Sequence, residues 1–490
     1  MIQSKIINSY KKLSKLKSKG KIIGLCHGVF DILHSGHLDH LKVAKEKVDI
    51  LVVSITADEY INKGPFQPIN NSYKRVSQLS SLEFVDYVFI NKEITSLKVL
   101  NSLKPDFYIK GKDYKNGDFT KNLLLEKKTV EKNNGKLFFT ETSIMSSTKI
   151  INNYFSIWDK DQKKFLNELS KNYNFDYFLK IFEQISNLEI NIIGEIIYDK
   201  YVFVSSQGLT SKDPALSMLK EKSLNISGGV VAIAKILANF AKKVNLFTVG
   251  ATSIKKELKN TNINLIDLNP NFPLQVKTRY INNNRSEKIL QVSNFKNYQS
   301  TNHDFGNILK KRIKDNLFIC DYGIGLFNKN LIIFLEKLKV KKFINVQTNS
   351  LNLGFNKFTK YSNYNYICLD RREWEIGLEK QTINSKDLKD FSKKKFGKFF
   401  SMTDGKHGSY NYLNGNEFFS PVFIKKTIDT TGCGDAYFAI TSLLYHCGFK
   451  KEIISFVGNV YAGMHSQFYG NEKIINKNKL LKYLKTMINF

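Results

Sequence analysis

The chain has 490 residues, 42% hydrophobic and 24% charged, enough for two or three globular domains and incompatible with wholesale disorder. Its net charge of +31 rests on 75 Lys and Arg against 44 Asp and Glu, and six of the 75 are Arg. Dispersed Lys without Arg clusters argues against a nucleic-acid reader and for a compositional bias, although the positive field still favours anionic substrates such as sugar phosphates and nucleotides.

In the first 21 residues, Ile6, Ile7, Tyr10, Leu13 and Leu16 recur at helical spacing and predict a docked amphipathic helix. This stretch lacks the apolar core of a secretory signal, and no run in the chain reaches the ~18 apolar residues of a membrane span. The expectation is a cytoplasmic protein without membrane insertion. The five cysteines are scattered and predict reduced thiols.

A strand in KIIGLCHGVF, a helix from Leu38 to Lys47, and strands in DILVVSI, DYVFI and DFYIK predict an α/β domain over residues 1–155. Residues 156–185 read as a charged helical connector. From Leu188 the alternation restarts with EINIIGEII and continues through VNLFTVG, NLFICDYG, KFINVQT, YNYICLD and KFFSMTDG. A second, larger α/β domain is therefore expected over 186–490.

Two constellations carry chemistry. In GVFDILHSGH, a glycine turn after a strand precedes His34 and His37, three residues apart on one helical face. Backbone N–H groups at such a junction receive phosphate, and two imidazoles beside it can stabilise charge on a transferring nucleotidyl group. Two surface histidines are the plainer alternative. In IDTTGCGDAYFAI, Gly432, Cys433 and Gly434 precede an apolar helix and predict an anion hole. Asp435, at the start of that helix, can take a proton from an attacking hydroxyl; the plainer alternative is a helix cap.

The first string resembles the GxFDxxHxGH nucleotidyltransferases, the cytidylyltransferases of glycerol-3-phosphate type. KGKDY (Lys110 to Tyr114) and SSTKI (Ser146 to Ile150) resemble the second and closing motifs of that superfamily. The resemblance implies a Rossmann-like domain in which His34 and His37 bind triphosphate and stabilise the transition state. It implies that Gly28, Phe30 and Asp31 shape the loop, and that Lys110, Asp113, Ser147 and Thr148 serve nucleotide and phosphate. Lys63 and Arg75 are candidate further phosphate contacts, with solvated surface roles as the alternative.

DTTGCGD resembles the DTxGAGD signature of the ribokinase (PfkB) sugar kinases, with Cys433 in place of Ala. The resemblance implies a three-layer α/β domain with Asp435 as catalytic base. It assigns Gly228 and Gly229 of NISGGVVAIA to substrate, Gly405 and Gly408 to nucleotide, and Asp370 and Glu373 to Mg²⁺ through water. GEIIYDKY (Gly194 to Tyr201) and QVKTRY (Gln275 to Tyr280) look like segments of bacterial heptose-7-phosphate kinases, adding Asp199, Lys277 and Arg279 as sugar-phosphate contacts. Jointly the two halves resemble bifunctional heptose-7-phosphate kinase and heptose-1-phosphate adenylyltransferases, with the domain order reversed. That family phosphorylates C1 and transfers AMP to the sugar 1-phosphate, using ATP in both steps.

The chain departs from those kinases at Ala232 (usually Asn), Glu195 (Asp), Ile324 (Lys in DYxKG) and Val346 to Asn349 (VQTN for DPK). Two alternatives stay open. One is a CTP-dependent transferase for a non-heptose polyol phosphate; the other is a kinase-like half that only binds a sugar and regulates. A homodimer is compatible with either.

Overall fold

The structure is a computed structural model that describes all residues except 1, 18–19, 62–67, 113–120, 142–157, 286, 296–304, 351, 425–426 and 489–490. The chain divides into two units, Met1–Asp159 with Lys485–Phe490, and Lys160–Leu484. No described helix is long and apolar enough to cross a membrane.

The first unit is built on a six-stranded parallel sheet of order β1-β4-β3-β2-β5-β6. Its strands are β1 (Ile6–Ile7), β2 (Ile23–Gly28), β3 (Ile50–Thr56), β4 (Tyr87–Asn91), β5 (Phe107–Gly111) and β6 (Lys136–Thr140). Alternation along the strands splits the core in two. Cys26, Val53 and Ile55 pack with Leu41, Ala44, Val76 and Leu79 on one face. Leu25, Val52 and Tyr108 pack with Val99, Leu100 and Leu103 on the other. Both faces are covered, as a parallel sheet requires.

Two expectations need correction here. The amphipathic helix is only Tyr10–Ser14. Ile6 and Ile7 instead pair with Val88 and Phe89, covering an edge of β4 that would otherwise be unpaired. Arg75 is no surface phosphate contact. It is fully buried and donates to the carbonyls of Val29, Thr56 and Asn70, to Asp58 and to Ser72. It therefore ties the loop after β2 to the end of β3. Lys63 lies outside the described residues.

The second unit has a nine-stranded sheet of order β11-β10-β7-β14-β15-β16-β17-β18-β19. These are β7 (Glu189–Gly194), β10 (Lys243–Thr248), β11 (Ile263–Asp267), β14 (Asn316–Asp321), β15 (Lys341–Val346), β16 (Tyr366–Asp370), β17 (Phe399–Thr403), β18 (Ser409–Leu413) and β19 (Asn416–Ser420). Pairing is parallel as far as β17 and antiparallel for the last two strands. Ile319 and Ile344 face a core with Leu331, Leu335, Trp374 and Leu388. Phe318, the neighbour of Ile319, faces the opposite way, with its ring 6.1 Å from that of Phe438. Helices thus cover both faces, giving the three-layer α/β arrangement.

A separate four-stranded sheet has order β13-β12-β8-β9, from β8 (Ile196–Leu209), β9 (Leu216–Gly229), β12 (Val276–Asn282) and β13 (Glu287–Asn294). The stretch expected as a connector is two helices, Lys160–Asn172 and Phe175–Ile185. Phe178, Ile181, Phe182 and Ile185 form a buried stripe on the second, with the Phe182 ring 5.5 Å from Phe240. Both helices belong to the second unit, because that stripe has to be buried against it.

Arg75→Ala would take a donor from the half-buried carbonyl of Val29 and the buried one of Thr56, at about 1–3 kcal/mol each. Destabilisation of the first unit by about 3 kcal/mol is expected, read as faster amide hydrogen exchange in β2 and β3. Unchanged exchange would show that Arg75 is dispensable to the fold.

Candidate functional site

In the first unit, β2 ends at Gly28 and the chain turns through Phe30, a non-glycine residue at φ +49°. Such a conformation persists only where its surroundings enforce it. Arg75 holds the Val29 carbonyl at 2.6 Å, and the Asp31 carboxylate accepts from the N–H groups of Ile69 and Asn70, both at 2.8 Å. The loop delivers His34 to the N-cap of the Ser35–Glu46 helix and His37 to its first turn. Their rings stack with centroids 3.9 Å apart, and Phe30 packs 5.2 Å from His37. Lys110, near the end of β5, is buried and donates to the His27 carbonyl at 3.2 Å. Burial, then the Lys110 charge, push His27 down to about 3 and His40 to about 4, so both are neutral near pH 7. Asp113, Ser147 and Thr148 lie outside the described residues.

The second unit holds a polar cavity of about 230 Å³. Of the expected residues, Asp199, Gly229, Lys277, Arg279, Asp370, Glu373, Gly432, Gly434 and Asp435 line it. Gly228, Cys433, Gly405 and Gly408 are not in its lining. Gly408, at φ +99°, serves the turn after β17: a Cβ there would sit 2.3 Å from the Ser420 carbonyl oxygen. Arg279 is bound to Asp199 and lies over the Tyr201 ring. Lys277, lowered by burial but raised by Asp199, is the other cation in the lining.

Asp435 lies in the first turn of the Cys433–His446 helix, whose N-cap is Gly432 at φ +82°. It is 7% exposed, and burial pushes its carboxyl up to about 7 against hydrogen bonds from Gln347 and Tyr322. Six residues upstream, Asp429 goes the other way. Burial raises it, but the Lys288 ammonium at 2.6 Å, the Thr431 N–H and the Tyr201 hydroxyl outweigh that and hold it at about 2.

Asp370 and Glu373 form a reciprocal capping box on the Arg371–Gly377 helix. Glu373 also accepts from Thr348 N–H at 3.1 Å. Two hard oxygen donors in the lining fit Mg²⁺ held largely through water, since Mg²⁺ takes few protein carboxylates beside substrate phosphates. Among the described residues no cluster of three or more His, Cys, Asp or Glu could hold a metal by itself.

The departures from the kinase pattern have places too. Ala232 is buried in the Val230–Ala238 helix, and Ile324 is buried as well. Glu195 accepts from the N–H groups of Tyr322, Ile324 and Leu326. Sequence reasoning missed Tyr322 and Asn471 in the cavity and took Gln347 and Thr348 only as mismatches. Their one signal was position: Tyr322, Gln347 and Thr348 lie at the ends of the predicted strand strings NLFICDYG and KFINVQT, and just past the observed strands.

Residues 25–153 match the cytidylyltransferase-like family. The Bifunctional protein HldE of Campylobacter jejuni subsp. doylei is 39% identical over 115 residues, 23% of this chain and 25% of that protein. Its namesake from Nitratiruptor sp. is 44% identical over 102 residues, 20% of this chain and 22% of that protein. The chain thus spans about a quarter of the length of the curated relatives it matches. A putative ribokinase from Agrobacterium tumefaciens superposes with TM-score 0.50 at 13% identity, covering 62% of this chain and all of that one. Phosphofructokinase-2 from Escherichia coli gives TM-score 0.50 at 11% identity, covering 60% of this chain and 98% of that one. The chain therefore joins a cytidylyltransferase-like α/β fold to a ribokinase-like one.

A Cβ on Gly228 would lie 2.4 Å from Asp199 Oδ2. Gly228→Ala should displace Asp199 from Arg279 and destabilise the second unit by about 1–3 kcal/mol, measured by denaturant unfolding of the full chain. An unchanged midpoint would mean that Asp199 yields freely.

Proposed function

We propose that the chain is a bifunctional enzyme of activated-sugar synthesis. The second unit phosphorylates a sugar phosphate with ATP to a sugar bisphosphate; once a separate phosphatase has removed the original phosphate, the first unit transfers a nucleotidyl group to the remaining sugar 1-phosphate, releasing pyrophosphate. The observation that carries this reading is Asp435: a desolvated carboxylate with pKa near neutrality, lining a polar cavity at the start of a helix. Such a group serves as a general base near pH 7.

In the second unit, the sugar hydroxyl gives its proton to Asp435 as its oxygen bonds to the γ-phosphorus and ADP leaves. The glycines at 432 and 434 leave room for phosphate against the helix N-terminus, whose dipole favours anions. Lys277 faces the anionic substrate. Asp370 and Glu373 would hold Mg²⁺, which neutralises phosphate charge when bound. In the first unit, His34 and His37 donate to phosphate oxygens as pyrophosphate departs.

A heptose 7-phosphate as substrate, and ATP for the nucleotidyl step, are supported by the GEIIYDKY and QVKTRY segments and by the similarity of residues 25–153 to proteins named bifunctional HldE. Ala232 stands where those kinases carry a substrate-contacting Asn, and Ile324 where they carry Lys; both are buried, and the departures favour an altered sugar over an unaltered one. The test is a screen of phosphorylated sugars with each nucleoside triphosphate, reading ADP and pyrophosphate separately.

His34→Ala and His37→Ala should each cut pyrophosphate release by about 10²–10³-fold and leave ADP formation intact; near-normal release in both would remove the histidines from the chemistry. Asp435→Asn should lower sugar-dependent ADP formation by about 10²–10⁴-fold. In the unmutated enzyme kcat should fall as pH drops through about 7, where Asp435 takes up a proton. A limb near the ordinary carboxylate range would contradict the buried base.

A further inference from the structure

Gln347 occupies the place where the kinase pattern carries a different residue, and its side chain reaches the base. Its Nε2 donates to Asp435 Oδ1 at 2.5 Å. The Tyr322 hydroxyl donates to the same oxygen at a longer 3.2 Å. Both bonds fall on Oδ1, while Asp435 lines the cavity. The Gln347 backbone is itself pinned: its N–H donates to the Asp321 carbonyl at 2.8 Å, and its carbonyl accepts from Asn356 Nδ2 at 3.0 Å. A carboxylate with one oxygen held by a fixed donor cannot swing, and the other oxygen then has a set direction.

We propose that Gln347 is a positioning residue for the kinase base, holding Oδ1 of Asp435 so that Oδ2 meets the substrate hydroxyl. This deepens the kinase reading and rests on it for its activity arm. The step itself is unchanged: the hydroxyl proton passes to Oδ2, the sugar oxygen bonds to the γ-phosphorus, and the bond from that phosphorus to the ADP oxygen breaks. Gln347 contributes no proton. Its neutral amide anchors the carboxylate without the permanent countercharge that Lys288 gives Asp429. Among the described residues, the other ionisable groups whose fields reach this site are Asp199 on β8, Lys277 on β12, Cys320 on β14, Tyr322 after it, Cys368 on β16, Glu373, and Cys433 on the helix of Asp435 itself.

Gln347→Leu removes the donor at similar size. In the full chain it should lower kcat for sugar-dependent ADP formation about 3- to 10-fold, the worth of one hydrogen bond. KM for ATP should stay unchanged, and the acidic limb of kcat should move to higher pH, because the lost donor favoured the charged carboxylate. In an Asp435→Asn background the same substitution should cost nothing further, since Gln347 acts through Asp435. Gln347→Asn, with a shorter reach, should behave like the Leu variant, whereas Gln347→His, which can still donate, should recover part of the loss. An independent arm needs no turnover: carbon-13 carboxyl NMR of the unmutated and Gln347→Leu chains, with Asp435 identified by its loss in Asp435→Asn. A raised Asp435 midpoint in Gln347→Leu supports the proposal even if no sugar drives ADP formation and the kinase reading falls. An unmoved midpoint, or a full additional loss in the Asp435→Asn background, overturns it; the latter would mean that Gln347 touches substrate itself.

Discussion

Parallel strand pairing places the carboxyl ends of neighbouring strands along one edge of a sheet, and both candidate sites depend on that constraint. In the second unit, Tyr322 follows β14, Gln347 follows β15, Asp370 ends β16 and Thr403 ends β17, and all four line one cavity. They come from distant parts of the sequence, yet register alone brings them to one rim. In the first unit the Gly28 turn, the Thr56 carbonyl bound by Arg75, and Lys110 gather likewise at the ends of β2, β3 and β5. Ligand crevices of open α/β sheets form at such carboxyl ends. Helix N-termini collect at the same rim, so phosphate affinity follows from topology before any side chain is chosen.

Burial then separates the roles of like residues. Asp429 precedes the Cys433–His446 helix and Asp435 lies in its first turn, and desolvation raises both. Asp429 meets an ammonium and stays ionised at about 2; Asp435 meets a neutral amide and a phenol and stands at about 7. The first is a fixed anion joining β8, β13 and the segment before the Cys433–His446 helix through Tyr201, Lys288 and Thr431. The second can exchange a proton. The two carboxylates differ in the charge and the number of their hydrogen-bond partners, and that sets their pKa values apart.

What was legible in the sequence was whatever depends on local spacing. The glycine turns, the histidine pair and most strands of both main sheets follow from short strings such as GVFDILHSGH and NLFICDYG. What depends on distant partners was not. Arg75 looks like a surface cation in SYKRVSQLS, and nothing local shows that Val29 and Thr56 await a donor. Strand β9 runs through LKEKSLN, whose lysines suggest a loop, because it belongs to a sheet with an exposed stretch. The stripe of Phe178, Ile181, Phe182 and Ile185 was there to be read, but the flanking charge hid it.

The departures at Glu195, Ile324 and Gln347 are neighbours in space and satisfy one another. Glu195 takes the N–H groups of Tyr322 and Ile324, and Tyr322 donates to Asp435. Gln347 binds Asp435 through its side chain and Asp321 through its backbone. Asn349 and Asn352 both donate to the Tyr322 carbonyl, fixing the same turn from the other side. Drift in a disused site would strand buried polar groups one at a time, each at a cost of about 1–3 kcal/mol. Here the changed residues interlock around Asp435 through the hydrogen bonds of Glu195, Tyr322 and Gln347.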